Sequence, residues 1–200
     1  MTRIEPFTST VSLWMARVGG GALLGVALLI SVEVILRMLR IGNMSVGTEL
    51  SSYALAIGAT WSLAYVVFER GHVRVDIIAR KLSAVPRTML DVLSLASLAI
   101  IGIVLSVGAY GMLATSLRLG AKSNTTLGIP LAIPQALWTL GLVWFALIAL
   151  GRTFQAIRAM ARNDHVEAAR IAASPSADDD VEEAIVETTS RLGTSEASKL

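Results

Sequence analysis

The sequence has 200 residues, of which 54% are hydrophobic, and its mean hydropathy is +0.66. A soluble domain of ordinary surface is less apolar, so we expect a lipid bilayer to cover part of the chain. Cysteine is absent, which excludes disulfides, thiolate catalysis and cysteine-ligated zinc or iron–sulfur clusters. The net charge of +2 combines an acidic C-terminal segment with a basic remainder, a division more typical of membrane proteins than of nucleic-acid binding.

Four apolar stretches are long enough to cross a hydrocarbon core as helices, which takes about 20 residues at ~1.5 Å rise each. They predict an all-α integral membrane protein with four transmembrane helices, at about residues 18–36, 50–68, 92–117 and 129–150. Transmembrane β-strands would instead alternate in hydrophobicity over ~10 residues. A cleaved signal peptide does not explain the first stretch, because no small-x-small site follows it before Glu33 and Arg37.

The domain organisation follows from these stretches. Residues 1–162 form the predicted membrane domain, and the acidic residues 163–200 are expected to be a disordered tail. Four crossings place both termini on one side of the membrane. Because most Lys and Arg residues of the membrane domain fall on the termini and on the second loop, the positive-inside rule predicts cytoplasmic termini.

Glu33 is an acidic residue near the end of the first apolar stretch, and Arg37 follows it at the i,i+4 spacing that favours an ion pair on a helix. Ionisable groups inside membranes are often functional, so Glu33 is a candidate site for protons, cations or a partner subunit. A structural role as a neutralised carboxylate near the interface is equally compatible with the sequence.

Glu49 falls in the first turn of the second predicted helix, where a carboxylate complements the positive helix N-terminus. That local role explains the residue, and partner binding is the alternative. Glycines Gly21 and Gly25 form a small-xxx-small pair in the first stretch. Such a pair lets another helix backbone approach closely, either within this chain or in a partner.

Residues 69–82, between the second and third stretches, mix basic and apolar side chains and predict a short amphipathic segment at the cytoplasmic interface. His72 and Asp76 have the chemistry of metal ligands, but two ligands do not make a site, so no metal is predicted. The apolar stretches contain no histidine for haem, and no phosphate-binding glycine loop or nucleophile–base pair is evident. We therefore predict no cofactor and no enzyme activity.

Three local features resemble the small permease subunit of TRAP (tripartite ATP-independent periplasmic) transporters, which is also similar in length and helix count. An acidic residue opens the second helix, a Gly-His-x-x-Val-Asp loop follows that helix, and prolines mark the entry to the fourth. The matching residues are Glu49 for the first feature, Gly71, His72, Val75 and Asp76 for the second, and Pro130 and Pro134 for the third. With Glu33 and Arg37, these are the candidate partner-interface residues.

The resemblance implies a scaffold for a large permease subunit that carries the solute, together with a surface that helps dock a periplasmic solute-binding protein. It further implies sodium-coupled symport of an organic acid across the bacterial inner membrane. The main alternative is an autonomous four-helix exchanger of the multidrug type, in which Glu33 would exchange protons for cations. A redox or enzymatic subunit and a structural membrane protein unrelated to transport are the remaining alternatives.

Overall fold

The computed structural model describes residues 4–40, 46–69, 83–125 and 127–172. Five α-helices account for nearly all of them: α1 (Ile4–Met38), α2 (Gly47–Phe68), α3 (Ala84–Leu119), α4 (Ala132–Ala161) and α5 (His165–Ala172). The first four are long and apolar enough to cross a membrane, which confirms the predicted all-α architecture with four transmembrane helices. The predicted amphipathic segment between the second and third helices lies outside the described residues.

Each long helix extends beyond the apolar stretch that predicted it. α1 begins at Ile4, α3 begins at Ala84, and α4 continues to Ala161. Hydropathy marks the part of a helix that prefers lipid, whereas backbone hydrogen bonding continues through polar turns outside that part.

The start of α4 differs from the prediction in the opposite sense, because the helix begins at Ala132 and not near residue 129. Pro130 lies before the helix, in an isolated bridge with Lys122. Pro134 occupies the first turn, where a missing backbone N–H removes no intrahelical hydrogen bond.

The four long helices form an open row in the order α1, α2, α4, α3. Extensive packing joins α1 to α2, α2 to α4, and α4 to α3, while the other pairs among these four make few or no contacts. Accordingly, half of the most apolar window of α4 is buried, compared with 6% of the corresponding window of α1. The flanks of the row therefore expose broad apolar faces.

Each interface of the row contains a glycine at which the neighbouring helix leaves no room for a Cβ. A Cβ on Gly19 of α1 would lie 2.8 Å from the Cα of Gly58 in α2. A Cβ on Gly141 of α4 would lie 2.6 Å from the ring of Trp61, and one on Gly102 of α3 would lie 3.0 Å from the ring of Phe145. Small residues at such crossings are what permits close backbone approach in membrane helices.

Gly21 and Gly25, the predicted small-xxx-small pair, do not take part in these interfaces. A Cβ added at either position would meet nothing within 4 Å. The sequence left open whether this pair packs within the chain or against a partner. The structure eliminates close packing by this pair within the described chain. Gly19, on a different face of α1, makes the contact instead.

The segment predicted to be an acidic tail begins with a helix, α5 (His165–Ala172). The Asp164 carboxylate accepts a hydrogen bond from the Glu167 backbone N–H at 3.0 Å, which caps α5. Ala168 and Ala172 are buried against the neighbouring helices α3 and α4. Residues 173–200 lie outside the described residues.

The Gly19–Gly58 crossing generates a test with a neighbouring control. We expect Gly19→Ala to lower the free energy of unfolding by about 1–3 kcal/mol, because the new methyl group meets backbone atoms that cannot rotate away. Gly20→Ala should be neutral or slightly stabilising, because its Cβ would enter open space and alanine favours helices. Denaturant titration in detergent micelles measures both variants, and equal effects would show that α1 and α2 do not cross here.

Candidate functional site

The predicted site residues of the described chain gather at one end of the row, which we call the loop end. It comprises the end of α1, the start of α2 and the loop between α3 and α4. Two hydrogen bonds define it, from the Gly47 backbone to Glu33 and from Thr125 to Glu49. The opposite end, which we call the terminal end, holds the start of α1, the end of α2, the end of α4 and α5.

Glu33 connects α1 to the N-terminus of α2. Its Oε1 lies 3.2 Å from Nη2 of Arg37, and its Oε2 accepts a hydrogen bond from the Gly47 N–H at 2.8 Å. The first N–H groups of a helix have no intrahelical acceptor and carry partial positive charge, so a carboxylate there is favourable. Val46, at the N-cap position, forms no side-chain cap, and the neighbouring helix supplies the acceptor instead.

Glycine at residue 47 leaves room for this contact. A Cβ at Gly47 would lie 2.6 Å from Oε2 of Glu33 and 2.8 Å from Cγ1 of Ile30. The side chain of Glu33 is only 10% exposed, so there is little room for the carboxylate to move aside. The ion pair with Arg37 and the cap on Gly47 together satisfy a carboxylate that would otherwise be costly near lipid.

Glu49 links α2 to the loop between α3 and α4. It lies in the first turn of α2, as predicted, and is 6% exposed. The Tyr53 hydroxyl donates to its Oε1 at 2.6 Å, and the Thr125 hydroxyl donates to its Oε2. Its role is therefore wider than the local helix-end role that the sequence suggests.

The described residues of the loop between α3 and α4 present Thr125 to Glu49. Gly120 ends α3 in the left-handed region at φ 57°, a conformation that glycine adopts without strain. Two backbone hydrogen bonds then join the beginning of the loop to its end. They run from Ser123 N–H to Ile129 O at 2.9 Å and from Leu131 N–H to Ala121 O at 3.0 Å. Ser123 and Thr125 also share a hydroxyl hydrogen bond of 3.0 Å.

The structure thus brings together five of the nine candidate residues predicted from the sequence. Glu33, Arg37 and Glu49 belong to the polar contacts of the loop end, and Pro130 and Pro134 shape the loop and the first turn of α4. Gly71, His72, Val75 and Asp76 lie outside the described residues. Sequence reasoning missed Tyr53, although it follows Glu49 at the i,i+4 spacing, and missed Thr125, for which no local signal exists.

The chemistry available to this cluster is that of structural hydrogen bonding. Both carboxylates are occupied by donors from the chain itself. Within the described ranges, no group of three or more His, Asp or Glu side chains could hold a metal ion. The cluster therefore connects three elements and leaves an ordered polar surface at the loop end.

Comparison with known families gives one match. The family described as "Tripartite ATP-independent periplasmic transporters, DctQ component" matches residues 26–159, about two thirds of the chain. The matched range covers the last third of α1, all of α2 and α3, and nearly all of α4. No curated protein and no solved structure matches the chain.

The dual role of Glu33 predicts unequal effects for the two partners of its ion pair. Glu33→Ala should lower the free energy of unfolding by about 1–3 kcal/mol, because it leaves the Gly47 N–H without its acceptor. Arg37→Ala should cost less than about 1 kcal/mol, because the Arg37 side chain is 57% exposed and exposed ion pairs contribute little. Equal losses in the two variants, measured by denaturant titration in micelles, would contradict the cap on α2.

Proposed function

We propose that this chain, which belongs to the DctQ component family of the tripartite ATP-independent periplasmic transporters, braces the large permease subunit of such a transporter in the membrane. Membership makes it a small, multi-pass membrane subunit of a transporter complex. We further propose that its loop end faces the periplasm and helps dock the solute-binding protein. The transported solute would be an organic acid, driven by a sodium gradient across the bacterial inner membrane.

The open helix row is the observation that carries the bracing role. The most apolar windows of α1 and α3 are only 6% and 28% buried, so their outer faces need a cover of lipid or of another membrane protein. Large exposed side chains on them include Leu24, Leu28, Ile100, Val104 and Val107. A row of helices that leaves broad apolar faces uncovered suits attachment alongside a larger protein better than enclosure of a solute path.

The distribution of charge also supports a brace. Long uncharged ranges run through all four transmembrane helices, and the charged residues of these helices lie outside those ranges. The uncharged ranges are residues 18–32, 50–68, 92–117 and 129–151. Transport sites near the bilayer midplane use broken helices and convergent polar groups, whereas the four long helices here are continuous over their described lengths.

The alternative of an autonomous exchanger depends on Glu33, and its surroundings do not favour that role. An exchanging carboxylate must release its proton and admit a cation during each cycle. Glu33 instead lies at the loop end and accepts hydrogen bonds from Arg37 and from the Gly47 backbone. Replacing those partners during every cycle would uncap α2 each time.

The ordered loop end supports the proposed docking role. Binding to a soluble protein costs less when the surface is ordered before contact. The pairing of the α3–α4 loop and its attachment to α2 through Thr125 and Glu49 supply that order. Lys122 and Asn124 are exposed on the same loop and are available for contact.

Reconstitution tests the bracing role. Proteoliposomes that contain only this chain should take up no organic acid under an inward sodium gradient. Co-reconstitution with the large permease and the solute-binding protein should produce uptake, and omission of this chain should return it to background. The control for correct folding is a helical circular dichroism spectrum of the chain in the same liposomes.

The same liposomes distinguish the bracing subunit from an autonomous exchanger. Cation-for-proton exchange by the chain alone, abolished in Glu33→Gln, would overturn the bracing proposal. Unchanged uptake by the full complex with Glu33→Gln would agree with a structural carboxylate, because glutamine retains an acceptor for the Gly47 N–H.

The natural absence of cysteine allows a direct test of orientation. Asn124→Cys at the loop end and Ala161→Cys at the terminal end are both at exposed positions. In intact spheroplasts, a membrane-impermeant maleimide should label Asn124→Cys and should label Ala161→Cys only after permeabilisation. The reverse pattern would place the loop end in the cytoplasm and would exclude docking there.

A further inference from the structure

A cavity of about 220 Å³ lies at the terminal end, between the start of α1, the end of α2 and the second half of α4. Most of its wall is apolar, formed by side chains that include Phe68, Trp144, Leu147 and Ile148. The indole N–H of Trp144 is already bonded to the Ser12 hydroxyl at 3.0 Å, so the ring serves as an apolar wall. The cavity plays no part in the cluster at the loop end.

Among the described residues, one charged side chain lines this cavity, that of Arg152. Its guanidinium carbon lies 5.0 Å from the centre of the Phe68 ring, and its Nη2 lies 3.5 Å from the Phe68 carbonyl oxygen. These contacts hold the cation at the edge of the cavity. The planar fork of an arginine is well suited to the oxygens of a phosphate.

A second polar group lines the cavity one turn further along α4. The Oε1 atom of Gln155 is buried and accepts no hydrogen bond in the described part of the chain. A buried amide oxygen without a donor is costly, so a ligand that offers a hydroxyl group at this position would be stabilised. The cavity thus combines a cation, an open acceptor and an apolar wall.

The depth of the cavity matches the boundary of the membrane. Arg152 directly follows the uncharged range of α4, and Phe68 is the last residue of α2. An arginine at the end of an apolar span lies where lipid headgroups lie, with its stem in the hydrocarbon and its charge at the interface. This argument holds for either leaflet and does not depend on the proposed orientation.

Water is a poor occupant of such a cavity. A stably held water needs two to four polar partners. The apolar wall does not supply them. An amphiphile that covers the wall with methylene groups and presents an anion to Arg152 satisfies both parts.

We propose that this cavity binds one anionic phospholipid, with its phosphate at Arg152, a headgroup hydroxyl at Gln155 and part of an acyl chain against the apolar wall. The bound lipid fills the space between the start of α1, the end of α2 and the second half of α4. The proposal concerns a lipid site within this chain and goes beyond its bracing role.

Native mass spectrometry of the full-length chain, released from detergent micelles, tests the site with phosphatidylglycerol as the probe. The chain should retain one phosphatidylglycerol at concentrations where phosphatidylcholine is lost. Arg152→Gln should weaken retention about fivefold, the contribution of one basic residue beside anionic lipid. Arg152→Lys should keep part of the preference, because it keeps the charge but not the planar fork.

Two further variants keep the test decisive. Arg158→Gln removes a charge from an exposed position of the same helix and should leave retention unchanged. Gly151→Leu keeps every charge and has space for its Cβ, but its side chain fills the cavity and should reduce retention. If Arg152→Gln does not fold, as judged by circular dichroism, Gly151→Leu decides alone.

Three results would overturn the proposal. Equal retention of phosphatidylglycerol and phosphatidylcholine would show that the cavity does not select charge. Equal weakening by Arg152→Gln and Arg158→Gln would assign the effect to diffuse surface charge. Displacement of phosphatidylglycerol by inorganic phosphate would identify a site for a free anion.

Discussion

Close approach at glycine is the constraint on which the arrangement of the helices depends. Lipid tails are as apolar as leucine side chains, so burial from water does not drive helices together inside a bilayer, and tight packing must do so. Glycines at three crossings permit that packing: Gly19 against Gly58, Gly141 against Trp61, and Gly102 against Phe145. Because these crossings join α1 to α2, α2 to α4 and α4 to α3, they produce a row with two uncovered flanks and no closed bundle.

Hydrogen bonds between helices then fix their rotation and register. Within the row, the Trp61 indole donates to the Leu137 carbonyl at 2.9 Å and the Trp144 indole donates to the Ser12 hydroxyl at 3.0 Å. Interhelical hydrogen bonds in membranes contribute about 0.6–2 kcal/mol each. At the loop end, Glu33 holds the N-terminus of α2, and Glu49 holds the α3–α4 loop. The polar contacts at this end therefore join all four long helices, directly or through their connections.

The parts of this structure that could be predicted from the sequence are those that depend on local spacing. Hydropathy identified four crossings, and the i,i+4 spacing identified the Glu33–Arg37 pair. Sequence could not identify Thr125 as a partner of Glu49, because 76 residues separate them and the contact requires the folded row. The sequence pattern predicted close helix packing at Gly21 and Gly25, whereas Gly19 makes the contact. Which glycine packs depends on which side of α1 faces α2, and the sequence does not give that side. The short helix α5 was missed because it depends on burial of Ala168 and Ala172 against other helices.

The same contacts support the proposed stationary role of the chain. A carrier that alternates between two states needs interfaces with two arrangements of similar energy. Here each crossing has a glycine matched to one opposing group, so sliding by a single turn would bring side chains with a Cβ into positions that have no room for one. Sliding α1 past α2 would also separate Glu33 from the Gly47 N–H and leave the start of α2 uncapped. Both penalties act against relative motion of the helices, so the row can hold its shape while a partner subunit moves beside it.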